Sequence, residues 1–186
     1  MKSVIYDLIE RVQSEDERIA SNAITDLSFL LEMHSWNLSD EDRIEKYDSL
    51  TSREVIATKF EKGDEIKIMN FLKEEISNDN KFKAGLLFAI GQSSAKAGIP
   101  SLLEVLNDHS TEFSENEFYQ AIVALEKLLF FDESMSFDEK SAIVMSTNLL
   151  KLIAQKILSL QPISRVDLKS TSLRLLASLI LLEDDN

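Results

Sequence analysis

The stretch that decides the fold is residues 81–131, which reads KFKAGLLFAIGQSSAKAGIPSLLEVLNDHSTEFSENEFYQAIVALEKLLFF. Its apolar residues return at steps of three and four, as the buried stripe of a helix requires. The clearest stripe consists of Phe118, Ala121, Ile122, Leu125, Leu128 and Leu129. Strict alternation of apolar and polar residues, which is typical of a half-buried strand, is not sustained along the chain. The sequence therefore predicts an all-α fold.

Helix starts are marked by a Ser or Thr followed three residues later by Glu, because this pair can satisfy two backbone N–H groups of a first turn. The pairs are Ser14 with Glu17, Thr51 with Glu54, Ser114 with Glu117 and Ser136 with Glu139. The expected helices span 2–13, 15–33, 40–48, 52–61, 65–77, 81–93, 99–108, 115–131, 137–160 and 164–183. The connections between them are short, which is typical of antiparallel neighbours. We therefore expect a single α-helical domain over residues 1–186.

Two of the expected helices carry the same apolar spacing 36 positions apart. Phe82, Gly85, Leu86 and Ala89 align with Phe118, Ala121, Ile122 and Leu125. Small residues at Gly85 and Ala121 would let paired helices approach closely, and stacked helix pairs would share one core. Residues 38–60 do not match this unit and are expected to form an inserted hairpin. The helix pair over 137–183 is expected to cap the stack.

Residues 65–131 resemble degenerate HEAT or armadillo repeats. The resemblance lies in the helix IPSLLEVL at 99–106, followed by AIVAL at 121–125. It implies antiparallel helix pairs stacked as a short HEAT-like right-handed solenoid or bundle. A helix pair of this size occurs in many all-α proteins, so the resemblance bears on fold more than on function.

The composition excludes several classes of protein. The chain has 20 basic and 33 acidic residues, a net charge of −13, and no cysteine, so disulfide scaffolds and thiolate metal sites are impossible. The negative charge disfavours nucleic acid and anionic membranes as partners and favours a basic protein. The first residues lack the layout of a signal peptide, and the apolar runs are far shorter than a bilayer requires. We expect a cytoplasmic protein.

The residues that usually carry enzyme chemistry are scarce. His34 and His109 are the only histidines, and neither begins the His-Glu pair that HEAT-repeat metal hydroxylases use. The acidic run at 40–42 lacks the oxygen ligand and the glycine of a calcium loop, and no glycine-rich phosphate loop is present. We therefore predict no enzyme activity, no catalytic residue, no metal and no cofactor.

The acidity is concentrated in residues 104–139, which contain ten acidic side chains and one lysine, a net charge of −9. Aromatic residues are interleaved with the carboxylates, as at binding surfaces. The predicted partner-binding residues are Asp108, Glu112, Phe113, Glu115, Glu117, Tyr119, Asp132, Glu133, Asp138 and Glu139. They should form two rims, because a helix of about 25 Å separates 108–117 from 132–139.

Both charge features of the sequence also have a simpler interpretation. Acidic residues are favoured in the first turn of any helix, where Glu115, Glu117, Asp138 and Glu139 are expected to lie. Residues 140–174 show the opposite bias, with six basic side chains against Asp167. We interpret that basic bias as a solvated helix face.

The size, acidity and all-α composition resemble those of small bacterial immunity proteins of contact-dependent inhibition and polymorphic toxin systems. This resemblance implies a protein that binds a basic toxin domain, with a nuclease as the expected toxin, and occludes its active site with an acidic surface. The alternative is a non-enzymatic helical-repeat adaptor that holds proteins together on its concave face. The adaptor predicts apolar contacts and a weak dependence of binding on salt.

Overall fold

The computed structural model describes residues 3–78, 80–108, 112–133, 135–160 and 162–184. These residues contain eleven α-helices and no strand, which confirms the all-α prediction. The helices are α1 (Val4–Val12), α2 (Glu17–Ser35), α3 (Asp40–Tyr47), α4 (Arg53–Ala57), α5 (Asp64–Ser77), α6 (Lys83–Ile90), α7 (Ala95–Asn107), α8 (Glu115–Phe130), α9 (Phe137–Thr147), α10 (Leu149–Ser159) and α11 (Val166–Asp184).

Two of the four predicted helix starts are confirmed as capping boxes. Ser114 and Glu117 form one at the start of α8, and Ser136 and Glu139 form one at the start of α9. A third box, formed by Ser39 with an aspartate at the third helical position, begins α3. The sequence pattern did not predict this box, because the pattern required Glu and the residue at that position is Asp42.

The other two predicted starts are wrong. Asp16 caps α2, because its carboxylate accepts hydrogen bonds from the backbone N–H groups of Arg18 and Ile19. At α4 the cap is Ser52, while the neighbouring Thr51 hydroxyl donates to the carboxylate of Asp26 on α2. In both places a side chain closer to the first turn, by two residues at α2 and by one at α4, reaches the free N–H groups.

Two helix boundaries also differ from the prediction. The single helix expected over 137–160 is two helices, α9 and α10, which meet at Asn148 in the left-handed conformation with φ 54°. Asparagine adopts this conformation more readily than most residues, so the chain turns there without glycine. Helix α7 begins at Ala95 rather than at 99, which places Pro100 inside the helix instead of in its first turn.

Helices α2, α6, α8 and α11 pack side by side in that order. On one side of this row, α1 contacts α2 and α5, and α5 contacts α6 and α7. The buried apolar side chains form one cluster that runs from Ile5 to Leu179. None of the helices in the described ranges is both long and apolar enough to cross a bilayer.

Small residues set the distance between α6 and its neighbours. A methyl group added at Gly91, which caps the C-terminus of α6, would lie 2.7 Å from the Cβ of Ala124, so the end of α6 lies close against α8. At Gly85 the added group would lie 3.3 Å from Cγ2 of Ile24 on α2. Gly85, the glycine aligned by the repeat, therefore lies at the contact with α2. The tighter contact, with α8, is at Gly91, six residues further along the chain.

Residues 38–60 contain α3 and α4, which contact each other, while α4 also contacts α2. Arg43 on α3 is buried, and its guanidinium donates to the carbonyl of Leu38 at 3.1 Å and to that of Thr58 at 2.9 Å. One side chain thus joins the segment before α3 to the segment after α4. The helix expected over 52–61 ends at Ala57.

Candidate functional site

The ten predicted partner-binding residues lie at the two ends of α8. The N-terminal rim consists of Asp108, Glu112, Phe113, Glu115, Glu117 and Tyr119, and the C-terminal rim consists of Asp132, Glu133, Asp138 and Glu139. The 16 residues of α8 place the rims about 24 Å apart. The environments of the two rims differ.

Carboxylates of the N-terminal rim are used within the fold. The Glu115 carboxylate accepts hydrogen bonds from the backbone N–H of Ser164 at 2.8 Å and that of Arg165 at 2.9 Å, and from the Ser164 hydroxyl. The two backbone N–H groups hold the pKa of Glu115 below its ordinary value. Glu117 accepts from the backbone N–H of Ser114 at 2.6 Å. These side chains attach the start of α11 to α8 and cap α8.

The two aromatic residues of this rim are half-buried and pack against the core. Lys156 Nζ lies 5.3 Å from the ring centre of Phe113, and the Arg165 guanidinium lies 4.6 Å from that of Tyr119. Burial lowers the pKa of Lys156, and the negative charge of Asp108 acts in the opposite direction. Each ring is therefore covered on one face by a cation of the same chain.

The basic segment 140–174 lies against the acidic segment that precedes it. Lys140 is buried and donates to the backbone carbonyl of Asp132, and the Arg174 guanidinium donates to both carboxylate oxygens of Glu126. Together with Lys156 and Arg165, four of the six cations contact residues of α8 or its flanking loops. The expectation of a solvated basic face is therefore wrong for Lys140, Lys156 and Arg165, which are buried or half-buried against α8 or its flanking loops. Arg174 stays exposed while it pairs with Glu126.

The C-terminal rim is more open. Glu133, Asp138 and Glu139 are exposed, and Asp132 is half-buried. The Glu139 carboxylate accepts from the backbone N–H of Ser136 at 2.8 Å and from its hydroxyl, and these bonds hold the pKa of Glu139 low.

Three exposed phenylalanines accompany these carboxylates. Phe131 is 74% exposed, and Phe130 and Phe137 are also exposed. Leu128 and Leu129 occupy the buried face of the last turn of α8, so the two residues that follow fall outside the core. Phe137 begins α9 directly after its capping serine. We call the following set of residues the α8–α9 edge: Phe130, Phe131, Asp132, Glu133, Phe137, Asp138 and Glu139.

Lys127 lies one turn before this edge and connects it to α6. Its ammonium donates to the side-chain oxygen of Gln92, which is buried. Burial lowers the pKa of Lys127, while the negative charges of Glu32 and Asp132 act in the opposite direction. The Lys127 side chain thus joins the end of α8 to the segment that follows α6.

Trp36, the single tryptophan, is 59% exposed at the end of α2, although a lone tryptophan is usually a core residue. Lys46 Nζ lies 5.2 Å from its ring centre and pairs with Glu32 at 3.0 Å. The exposure of Trp36 was not predicted from the sequence. Its position indicated the exposure, because Trp36 follows the last turn of α2 and so lies beyond the apolar stripe of that helix.

Within the described ranges, no three His, Cys, Asp or Glu residues are arranged to hold a metal ion. His34 lies 3.9 Å from the carboxylate of Glu65 and stacks on Phe60 at 4.5 Å, and His109 lies outside the described residues. A cleft of about 520 Å³ lies between α3 and α4. It is lined by Asp40, Ile44, Arg53, Ile56, Ala57 and Lys59.

Comparison with known proteins assigns no family to the chain. No family model matches it, and no match was found among curated proteins or solved structures.

Proposed function

We propose that the chain is a cytoplasmic bacterial immunity protein that binds a basic toxin domain and blocks its active site, with a nuclease as the expected toxin. The observation that carries the proposal is the α8–α9 edge, where exposed phenylalanines stand beside exposed carboxylates. The net charge of −13 supports a basic partner. The residues of the N-terminal rim contribute less, because Glu115, Glu117 and Tyr119 already have partners within the fold.

We also propose that the helices form a short HEAT-like right-handed solenoid. The side-by-side row of α2, α6, α8 and α11, with α1, α5 and α7 alongside it, supports this arrangement. Stacked helix pairs present the ends of successive helices along one edge. The α8–α9 edge would then belong to a continuous surface that also includes the end of α2.

In the proposed mechanism the carboxylates of Glu133 and Asp138 take the place of nucleic-acid phosphates at the cationic cleft of the toxin. Their charge accelerates association and orients the partner. Phe131 and Phe137 then enter apolar pockets of the toxin and lose contact with water, which slows dissociation. The active site is occluded, and no chemical step is required of the immunity protein.

The experiment begins with capture of the partner from the native host, followed by an assay of the partner's nuclease activity with and without the chain. The binding rates are then measured at low and high salt. We expect the double variant Glu133→Gln with Asp138→Asn to weaken binding about tenfold at low salt, mainly through association. Phe131→Ala should weaken it at least about 30-fold, the loss typical of an aromatic hot spot.

Glu112→Gln is the matched control, because Glu112 is an exposed carboxylate of the opposite rim. It should leave affinity and salt dependence close to those of the wild type. The proposed edge would be wrong if Glu112→Gln weakened binding while the double variant and Phe131→Ala did not. The immunity function would be wrong if the captured partner kept its full activity in the complex.

One observation favours the adaptor alternative. Exposed aromatic residues also occur outside the edge, at Trp36 just after α2 and at Phe88 on α6, so the exposed apolar surface of the chain is larger than the edge. A partner that uses this larger apolar surface would bind with little dependence on salt, and Trp36→Ala and Phe88→Ala would weaken it. The salt series of the same experiment therefore separates the adaptor from the inhibitor.

A further inference from the structure

Helix α11 is the last member of the row formed by α2, α6, α8 and α11. It packs mainly against α8, α9 and α10, and its buried side chains include Leu168, Leu175 and Leu179. The opposite side of α11 is open along the described part of the helix. The surface on that side is unusual for a solvated helix.

The open side of α11 carries a second line of apolar residues. Val166 is 77% exposed, Leu173 is 67% exposed and Leu181 is 66% exposed, and Ile180 is exposed beside Leu181. With the exposed residues Ser170 and Ala177, these side chains fall within a strip about 100° wide, opposite the buried side chains. This set, Val166, Ser170, Leu173, Ala177, Ile180 and Leu181, is called the outer stripe.

A helix that is apolar on two opposite sides is typical of a helix covered on both sides. The outer stripe also has the spacing of a helix–helix contact, because Val166, Leu173 and Ile180 follow one another at intervals of seven residues. The position beyond α11 in the row thus fits another helix.

Three residues of the outer stripe, Val166, Leu173 and Ile180, are placed symmetrically about Leu173. The small residues Ser170 and Ala177 lie on either side of Leu173, and apolar residues stand at both ends of the stripe. An antiparallel copy of the same helix therefore places Val166 opposite Ile180 and leaves room around the central leucine. Such self-complementarity is the requirement of a two-fold contact between identical chains.

The charges at the stripe are compatible with the same occupant. The outer stripe contains no charged residue, and the adjacent Arg174 is paired with Glu126 of its own chain. Lys169 flanks the stripe and would lie across from the uncharged Ala177 in the antiparallel arrangement. Two copies that each carry a net charge of −13 repel each other, so the contact depends on the apolar area of the uncharged stripe and is favoured by added salt.

We propose that the outer stripe of α11 binds the outer stripe of a second copy of this chain, antiparallel, in a two-fold symmetric dimer. The proposal does not depend on the proposed function, because the α8–α9 edge is not part of the stripe.

The first test is the molar mass in solution, measured by light scattering during size exclusion over a range of concentrations. The wild type should approach twice the 21.1 kDa of the monomer as the concentration rises. Leu173→Glu should remain at 21.1 kDa throughout, because two carboxylates would face each other at the two-fold axis. The control Leu50→Glu changes an exposed leucine between α3 and α4 and should dimerise like the wild type.

The second test uses the absence of cysteine from the chain. Leu173→Cys places one thiol near the two-fold axis, where it can meet its own copy at disulfide distance. In oxidised glutathione it should form a covalent dimer several times faster than Leu50→Cys. As a control for folding, the circular dichroism spectrum of each variant is compared with that of the wild type, and the helical signals should be equal.

A wild-type mass of 21.1 kDa at every concentration would overturn the proposal. It would also be overturned if Leu173→Glu dimerised as well as the wild type, because the contact would then lie elsewhere. Equal cross-linking of the two cysteine variants would exclude the antiparallel arrangement about Leu173.

Discussion

Arg43, Lys83 and Lys140 are buried cations whose donors reach backbone carbonyls of connecting segments. Glu75 is a buried anion that accepts from the side-chain amides of Gln13 and Asn80, at 2.7 Å each. Hydrogen bonds to charged groups contribute more than neutral ones, and removing one partner leaves a buried polar group unsatisfied. These side chains therefore hold the loops that connect the helices.

Glu115 gives a prediction about pH. Its pKa is lowered in the folded protein, so its contribution to stability is present above the ordinary glutamate pKa and is lost as the pH falls through the folded value. We expect the thermal midpoint of Glu115→Gln to fall less steeply than that of the wild type between about pH 5 and pH 3. Thermal unfolding followed by circular dichroism measures both curves.

Glu133→Gln is the control for the change in net charge, because it removes an exposed carboxylate from the α8–α9 edge. Its curve should keep the wild-type slope more closely than that of Glu115→Gln. If Glu115→Gln had the wild-type slope, the hydrogen bonds from Ser164 and Arg165 would contribute nothing to stability in this range.

The C-terminal end of α6 packs tightly on α8. Gly91 has no Cβ, and the Cβ of Ala124 occupies the space where one would lie. The backbone of Gly91 is in the right-handed helical region, so alanine is permitted there by conformation and excluded only by packing.

Gly91→Ala should therefore lower the free energy of unfolding by about 1–3 kcal/mol, the usual cost of an overpacked core. Gly85→Ala should cost less, because its nearest neighbour is a side-chain methyl group at 3.3 Å and alanine favours the helix by up to about 1 kcal/mol. Urea unfolding of the two variants gives the comparison. A greater loss for Gly85→Ala would mean that the α2 contact is the tighter one.

The whole molecule shares one apolar core, from Ile5 to Leu179. We expect a single cooperative unfolding transition, as the prediction of one domain over 1–186 requires. Circular dichroism follows all helices, while the fluorescence of Trp36 follows the end of α2 and its contact with Lys46. The two urea midpoints should coincide. An earlier fluorescence midpoint would show that α3 and the end of α2 unfold separately.

Charge is also distributed at the scale of the whole molecule. The segments 104–139 and 140–174, acidic and basic in sequence, pair with each other through contacts such as Glu126 with Arg174. Within the acidic segment 104–139, three of the five exposed carboxylates, those of Glu133, Asp138 and Glu139, lie at the α8–α9 edge. This distribution is the reason that the proposed binding surface is one rim.

The sequence by itself determined the helical class, the approximate positions of the helices, and the caps at Ser114 and Ser136. These features depend on residues three or four positions apart, so their physical cause lies within a short window. The predicted starts at Ser14 and Thr51 were wrong by only two residues and one residue, because Asp16 and Ser52 compete with them locally for the same backbone N–H groups. The break at Asn148 had only a single asparagine to indicate it.

Only the tertiary structure decided which charges remain exposed and which aromatic rings face solvent. Glu115 meets Ser164 and Glu126 meets Arg174 across almost fifty residues of chain, and the stripe on α11 is open because of where that helix packs. Burial and ion pairing are properties of groups that are distant in sequence and adjacent in space. The order of residues specifies them only through the packed fold.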